Sequence, residues 1–270
     1  MTKNDLLDIF YPPRCPGCDR ILPPGQGRTV CAICRSLDRP RPVRAPYCLK
    51  CGKPLEDFRQ EYCQDCRRHP PVFTQGRAAF WYREMEDAMH RFKNRGRQEY
   101  ARAYGKALWE VYQEVQARWR VQALVPIPIH RSRMRQRGYN QAALLCRELS
   151  KRSGIPVRED LLIRSRKTGY QRALNDEDRR ENVKDAFIVA EQADEHVADV
   201  RVWDTFTDRR PYRQWYNQTQ KCEYEAMPAR ILLVDDIYTT GSTMNEAART
   251  LLAAGAKQIY CLSVCIGKGY

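Results

Sequence analysis

The sequence predicts an α/β fold, a parallel sheet flanked by helices, that follows a small metal-binding domain. Two observations predict it. In segment 231–243, ILLVDDIYTTGST, an apolar run ends at a hydroxyl-rich loop containing glycine, and a helical pattern follows. Four C-x-x-C pairs lie before residue 67, in a Pro-rich stretch with too few large apolar residues for a core of its own.

The loop in segment 231–243 is predicted to bind an anion. Backbone N–H groups converge in such a turn, and the first turn of the following helix leaves N–H groups unpaired. Gly241 lets the backbone approach a phosphate, while Asp235 and Asp236 leave the strand where carboxylates suit sugar hydroxyls or Mg2+. The hydroxyl donors are Thr239, Thr240, Ser242 and Thr243.

The eight paired cysteines are predicted to hold two structural Zn2+ ions. Two C-x-x-C knuckles make a tetrahedral thiolate site, and the near-equal gaps allow two such sites. The sequence leaves sequential and crossed pairing open. Redox pairs and disulfides are the competing interpretations, but redox motifs usually occur singly and disulfide scaffolds are mostly short secreted chains. The predicted ligands are Cys15, Cys18, Cys31, Cys34, Cys48, Cys51, Cys63 and Cys66.

Composition favours an anionic partner. The chain has 270 residues and a formal charge of +14. Zinc-bound thiolates would lower that charge by about four, which still leaves a basic protein suited to nucleic acid or phosphorylated substrates. No stretch approaches the ~20 apolar residues of a membrane span, and the start lacks a secretory apolar region. We therefore expect a soluble, cytoplasmic protein without a membrane span.

We predict a double zinc-ribbon domain at 1–69 and a second domain at 70–270. The second domain contains an acidic, aromatic insertion at 191–229, interpreted as a partner-binding or self-associating appendage or a hairpin. Residues 1–12 suit a short amphipathic helix. Predicted strands are 74–82, 123–129, 161–164, 186–190, 231–234 and 258–266, and predicted helices are 84–93, 100–119, 141–154, 176–183 and 245–254.

Positive charge concentrates in HRSRMRQRGYNQ, after the strand at 123–129. Its four alternating arginines would repel one another, so we expect a polyanion to meet this arginine loop. Loops at the carboxyl ends of neighbouring strands share one crevice, so this loop and the loop at 239–243 should face one ligand. The basic turn HRFKNRGR is either solvated or an anion contact, and the polar stretch at 165–185 is either an active-site flap or an ordinary loop.

Segment 231–243 resembles the signature of type I phosphoribosyltransferases, which holds the 5-phosphate and ribose of phosphoribosyl pyrophosphate (PRPP). The four C-x-x-C pairs, PIPIHRSRMRQRGYNQA, RRENVKDAF and ILLVDDIYTTGST together resemble the ComF (ComFC) competence proteins. In that family a double zinc ribbon precedes a phosphoribosyltransferase-like domain. The insertion at 191–229 departs from the compact family pattern.

This resemblance implies a cytoplasmic role in DNA uptake during natural transformation, by binding single-stranded DNA, with a DNA-uptake helicase as a partner. It implies that Asp235, Asp236 and residues 239–243 hold PRPP with Mg2+. The residues implied to face pyrophosphate or a nucleic-acid backbone are Arg131, Arg133 and Arg137, and those implied to line the same site are Lys93, Asn140, Gln141 and Gln171. The alternatives are an active phosphoribosyltransferase, which transfers ribose 5-phosphate from PRPP to an unidentified acceptor and releases pyrophosphate, and an interaction module on a relic fold.

Overall fold

The computed structural model describes residues 12–23, 30–166, 182–189 and 226–267. In these ranges it confirms the predicted α/β architecture, a parallel sheet flanked by helices. The strands are β1 (Gln75–Trp81), β2 (Ala123–Pro126), β3 (Leu162–Arg164), β4 (Phe187–Val189), β5 (Arg230–Tyr238) and β6 (Gln258–Ile266). The α-helices are α1 (Ala32–Ser36), α2 (Gln64–Arg68), α3 (Glu86–Asn94), α4 (Tyr100–Gln113), α5 (Gln116–Trp119), α6 (Arg131–Arg137), α7 (Gln141–Ser153) and α8 (Ser242–Ala253).

The main sheet has the strand order β1-β6-β5-β2, and all three pairings are parallel. Its central strands are apolar almost throughout because helices or the cysteine-rich segments cover both faces. Asp235 lies opposite Ser263 inside the β5–β6 ladder, and the ladder continues to Tyr238. The prediction that Asp235 and Asp236 follow the strand was therefore wrong, since β5 extends past both.

Two apolar clusters cover the faces of this sheet. One contains Phe92, Tyr104, Leu108 and Leu145 from α3, α4 and α7, so the aromatic face of α4 is part of the core. The other joins α8 to the second group of cysteines, around Phe73. The long helix predicted at 100–119 is divided, with α4 ending at Gln113 and α5 following.

Two predicted core strands lie outside the parallel sheet. β3 and β4 pair with each other, antiparallel, from Leu162↔Val189 to Arg164↔Phe187. The physical reason is that the outer edge of β2 is already occupied. Leu124 N–H donates to the Pro156 carbonyl at 2.9 Å, and Arg158 N–H donates to the Leu124 carbonyl at 2.8 Å.

Several predictions fall outside the described residues. These are the helix at 1–12 except its last residue, the flap with Gln171, most of the helix at 176–183 and most of the insertion at 191–229. No helix in the described ranges is long and apolar enough to cross a membrane.

Candidate functional site

The carboxyl ends of β2 and β5 open into one pocket, because parallel strands end at the same edge of the sheet. The structure brings most of the predicted site residues together there. Arg131 is exposed and is not part of the lining, and Gln171 is outside the described residues. The predicted residues that line the pocket are Lys93, Arg133, Arg137, Asn140, Gln141, Asp235, Asp236, Thr239, Thr240, Gly241, Ser242 and Thr243.

The loop at 239–243 presents backbone to the pocket. Gly241 has a φ of +78°, and the Tyr238 hydroxyl stands where its side chain would be, so only glycine fits. Gly241 is also the N-cap of α8, which begins at Ser242 and not, as predicted, at 245. A glycine cap has no side chain to cover the helix end, so the positive end of the helix dipole lines the pocket wall.

The two acids form a connected pair beside a lysine. Lys93 Nζ lies 2.9 Å from Asp236 Oδ1, and the Asp236 N–H donates to Asp235 Oδ1 at 2.8 Å. Burial, and then the charge of Asp236, raise the pKa of Asp235 to about 7, while Lys93 acts in the opposite direction. Near neutral pH a bound cation would favour the ionised form of Asp235. Carboxylate oxygens can ligate Mg2+ and accept hydrogen bonds from sugar hydroxyls, and binding of either to this pair stays a prediction.

The arginine segment is helix α6, and the prediction of a loop was wrong. Helix formation is favoured because His130 Nδ1 accepts the Ser132 N–H at 3.2 Å and Gly138 ends the helix in the left-handed region. A helix separates alternating residues onto different faces. Arg133 and Arg137, one turn apart, line the pocket. The other two arginines of the segment, Arg131 and Arg135, are exposed.

Arg164 is a pocket residue that the sequence analysis missed. It is the last residue of β3, is buried, and lines the pocket with its guanidinium 5.4 Å from the centre of the Phe187 ring. Burial lowers the pKa of Arg164 to about 10, and the charge of Arg133 adds to this effect. A charged residue closing the apolar run LLIR was the only available signal.

Asn140 and Gln141 line the pocket but also bond to its walls. Asn140 Oδ1 accepts the Ala142 N–H at 3.1 Å and so caps α7, and Asn140 Nδ2 donates to the Ile127 carbonyl at 3.1 Å. Gln141 Oε1 accepts from Arg137 Nη1 at 3.1 Å. These contacts fix the wall formed by α6 and α7.

The eight cysteines form two clusters, in which the C-x-x-C pairs combine in sequential order. The first cluster contains Cys15, Cys18, Cys31 and Cys34, and the second contains Cys48, Cys51, Cys63 and Cys66. In each cluster all four Sγ atoms lie within 4.8 Å of one another. One Sγ–Sγ distance in each is 3.6 Å, close to the ~3.8 Å expected for thiolates around a tetrahedral Zn2+. The clusters therefore fit structural zinc, and of the two pairings left open the structure has the sequential one.

Comparison with known proteins supports both halves of this description. Family models described as a double zinc ribbon domain and a phosphoribosyl transferase domain match residues 6–67 and 205–269. Competence protein F of Haemophilus influenzae is 30% identical over 218 residues, covering 79% of this chain and 82% of the relative. The chain belongs to the ComF family.

Other members extend the ComF comparison. ComFC of Bacillus subtilis is 29% identical over 233 residues, covering 84% of this chain and 79% of the relative. The DNA utilization protein YhgH of Escherichia coli is 25% identical over 239 residues, covering 86% of this chain and 89% of the relative.

The two zinc ribbons of this ComF protein dock differently. The second ribbon is part of the large core, and Gly52 packs so closely on β1 that a Cβ there would lie 2.8 Å from the Gly76 carbonyl oxygen. Arg77 on β1 stacks 3.9 Å from the centre of the Tyr47 ring and pairs with Glu114 at 2.7 Å. The first ribbon instead has a small separate core around Leu22.

Proposed function

We propose that this ComF protein binds PRPP, or a related sugar phosphate, with Mg2+ in the pocket, and acts in DNA uptake in the cytoplasm by binding single-stranded DNA. The main observation in support is that the glycine-capped start of α8 opens onto the same pocket as the Lys93–Asp236 pair and three arginines. The helix N-terminus suits the 5-phosphate of PRPP, the paired acids suit its ribose hydroxyls or Mg2+, and the arginines suit its pyrophosphate.

The geometry suggests an orientation for the ligand. The loop at 239–243 would hold the 5-phosphate through backbone N–H and hydroxyl donors, and Asp235 and Asp236 would accept from the ribose hydroxyls. The pyrophosphate would lie toward Arg133, Arg137 and Arg164, which line the pocket together. Mg2+ held near the acids would neutralise part of the pyrophosphate charge.

The proposed DNA role draws on the relatives' names and on charge. Two relatives are named competence proteins and one a DNA utilization protein. The formal charge of +14 and the exposed arginines of α6 suit a phosphodiester backbone. We further propose that the first domain spans 1–69 and the second spans 70–270, with the insertion at 191–229 inside the second. We also propose that a DNA-uptake helicase is the protein partner.

Calorimetry with PRPP and Mg2+ tests the pocket. We expect saturable binding, and an upward shift of the melting temperature because the ligand binds only the folded state. Asp235→Asn combined with Asp236→Asn should weaken affinity roughly tenfold or more, since both lost carboxylates accept hydrogen bonds. Absence of PRPP binding to the wild-type protein would contradict the proposal.

A fluorescent oligothymidylate tests the DNA role. Affinity should fall as salt rises, with a log–log slope of about −0.7 for each phosphate contact. Arg131→Gln with Arg135→Gln should make this slope shallower. Arg102→Gln with Lys106→Gln is the matched control, because it removes two charges one turn apart on the exposed face of α4. A salt-independent affinity would exclude binding through phosphates.

Phosphoribosyl transfer is the second candidate function. The observation that favours it is that three arginines line the same pocket as the acids and the loop, because such cations would stabilise the negative charge that departing pyrophosphate gains. Pyrophosphate release from PRPP, measured across a panel of bases and amines, tests this activity. Release with one acceptor would establish a transferase, and release with none would favour binding without catalysis.

A further inference from the structure

The last turn of helix α3 lies beside the pocket and contacts both the start of α7 and the first zinc ribbon. This turn carries Lys93, whose Nζ lies 2.9 Å from Asp236 Oδ1. The lysine side chain is 24% exposed and its four-carbon stem has a limited length, so its ammonium group reaches Asp236 only while the last turn of α3 lies near the pocket.

On one side, residues at the start of α7 hold the end of α3. The last carbonyls of a helix have no partner within the helix and need one from elsewhere. The Tyr139 hydroxyl donates to the Phe92 carbonyl, and Gln141 Nε2 donates to the Lys93 carbonyl at 3.4 Å. Tyr139 and Phe92 are both buried, so the first of these bonds is shielded from water.

On the other side, the first zinc ribbon holds the same turn. Arg91 Nη2 donates to the Gly17 carbonyl at 3.0 Å, inside the Cys15–Cys18 knuckle. The neighbouring α4 strengthens this contact, because the Tyr104 hydroxyl donates to the Pro16 carbonyl at 2.8 Å. The Tyr100 hydroxyl donates to Asp19, which follows the knuckle directly.

We propose that Tyr139 and Arg91 are positioning residues for the sugar-phosphate site. They act through Lys93, holding the last turn of α3 so that its ammonium group stays on Asp236. Neither residue lines the pocket, so neither is placed to touch the ligand directly. The inference rests on the proposed function only for its ligand, PRPP, because the contacts around α3 stand without it.

The first test is a double-mutant cycle on the full-length protein, measuring the Kd for PRPP with Mg2+. Tyr139→Phe keeps the buried ring and removes the hydroxyl, and Arg91→Met breaks the contact with the ribbon. Each should weaken binding by about 3- to 10-fold, but by less than twofold when Lys93→Met is already present, since residues that act through one group are non-additive. Tyr260→Phe is the matched control, because it removes a buried tyrosine hydroxyl remote from α3 and should leave Kd unchanged.

Lysine acetylation followed by mass spectrometry gives a second test that needs no PRPP. In Tyr139→Phe and Arg91→Met, labelling of Lys93 should rise several-fold relative to the exposed Lys106. Equal weakening of binding with and without Lys93, or unchanged Lys93 labelling, would overturn the inference. If the wild-type protein bound no PRPP, the proposed function would fail, and the labelling would still decide the role of Tyr139 and Arg91.

Discussion

The hydroxyl of Tyr238 occupies the space that a side chain at Gly241 would need. Gly241 also has a φ of +78°, which other residues rarely adopt. We therefore predict that Gly241→Ala destabilises the protein by roughly 1–3 kcal/mol and abolishes PRPP binding. Gly154→Ala is the control, because Gly154 has a φ of +72° but open space around it. Equal PRPP affinity in the two variants, measured by calorimetry, would argue against a phosphate site at this loop.

The raised pKa of Asp235 predicts a pH dependence of stability. Its pKa is about 7 in the folded protein against 3.8 for an ordinary aspartate, mainly because of burial and then Asp236. The folded state thus disfavours ionisation, so stability falls as pH rises from about 4 to about 7 and levels off above 7. Asp235→Asn stays neutral, so its gain in unfolding free energy over wild type should grow from about pH 4 to about pH 7, by on the order of 1–4 kcal/mol, and stay constant above that.

Chemical denaturation across that pH range measures this effect. Glu61→Gln, at an exposed acid of the second ribbon, should show no comparable trend. A constant difference between Asp235→Asn and wild type at every pH would show that Asp235 titrates normally.

The second zinc ribbon is buried in the large core and the first is not, so replacing a zinc-binding cysteine should have unequal effects in the two ribbons. Cys51 is buried in the core cluster shared with the parallel sheet, whereas Cys18 is exposed in the separate first ribbon. Cys51→Ser should therefore unfold or aggregate the whole protein. Cys18→Ser should release one zinc ion and leave the main cooperative transition in place. Zinc content by mass spectrometry and calorimetric melting check both, and equal loss of stability would contradict the unequal docking.

Arg77 should contribute to stability far more than a surface cation does. Its side chain is 3% exposed and joins Tyr47 of the second ribbon to Glu114 of the segment after α4. Arg77→Met should cost about 1.5–3 kcal/mol, because bonds to a buried charge are lost and Glu114 stays in solvent. Lys106→Met breaks the ion pair with Glu110, in which the two side chains are 63% and 60% exposed, and should cost under about 0.5 kcal/mol. Urea denaturation compares the two variants.

Features encoded by neighbouring residues could be predicted from the sequence. The strand, loop and helix around Gly241 follow one another within segment 231–243, and each C-x-x-C knuckle is a local turn. The two cysteine clusters and the glycine-containing loop of the pocket could accordingly be predicted from the sequence. The length of β5 was not, because its pairing with β6 extends the strand through residues whose polarity suggested a loop.

Features that depend on distant contacts could not be predicted in the same way. Arg164 reaches the pocket because β3 leaves the parallel sheet to pair with β4, and a short apolar run does not reveal its partner. Tyr139 acquires a role only because the carbonyl of Phe92 lies beside it. The charge of the alternating arginines is evident in the sequence. Which of them face the pocket could not be predicted, because that depends on the segment forming a helix.

The strand order β1-β6-β5-β2 also limits how far this protein can fold while it is being synthesised. The two outer strands of the sheet emerge first, and each must wait for a neighbour that is translated after residue 229. Until then, the apolar side chains of β1 and β2 have no sheet to join, and the nascent polypeptide exposes them. Early binding by a chaperone would therefore matter more for this protein than for one whose sheet grows strand by strand.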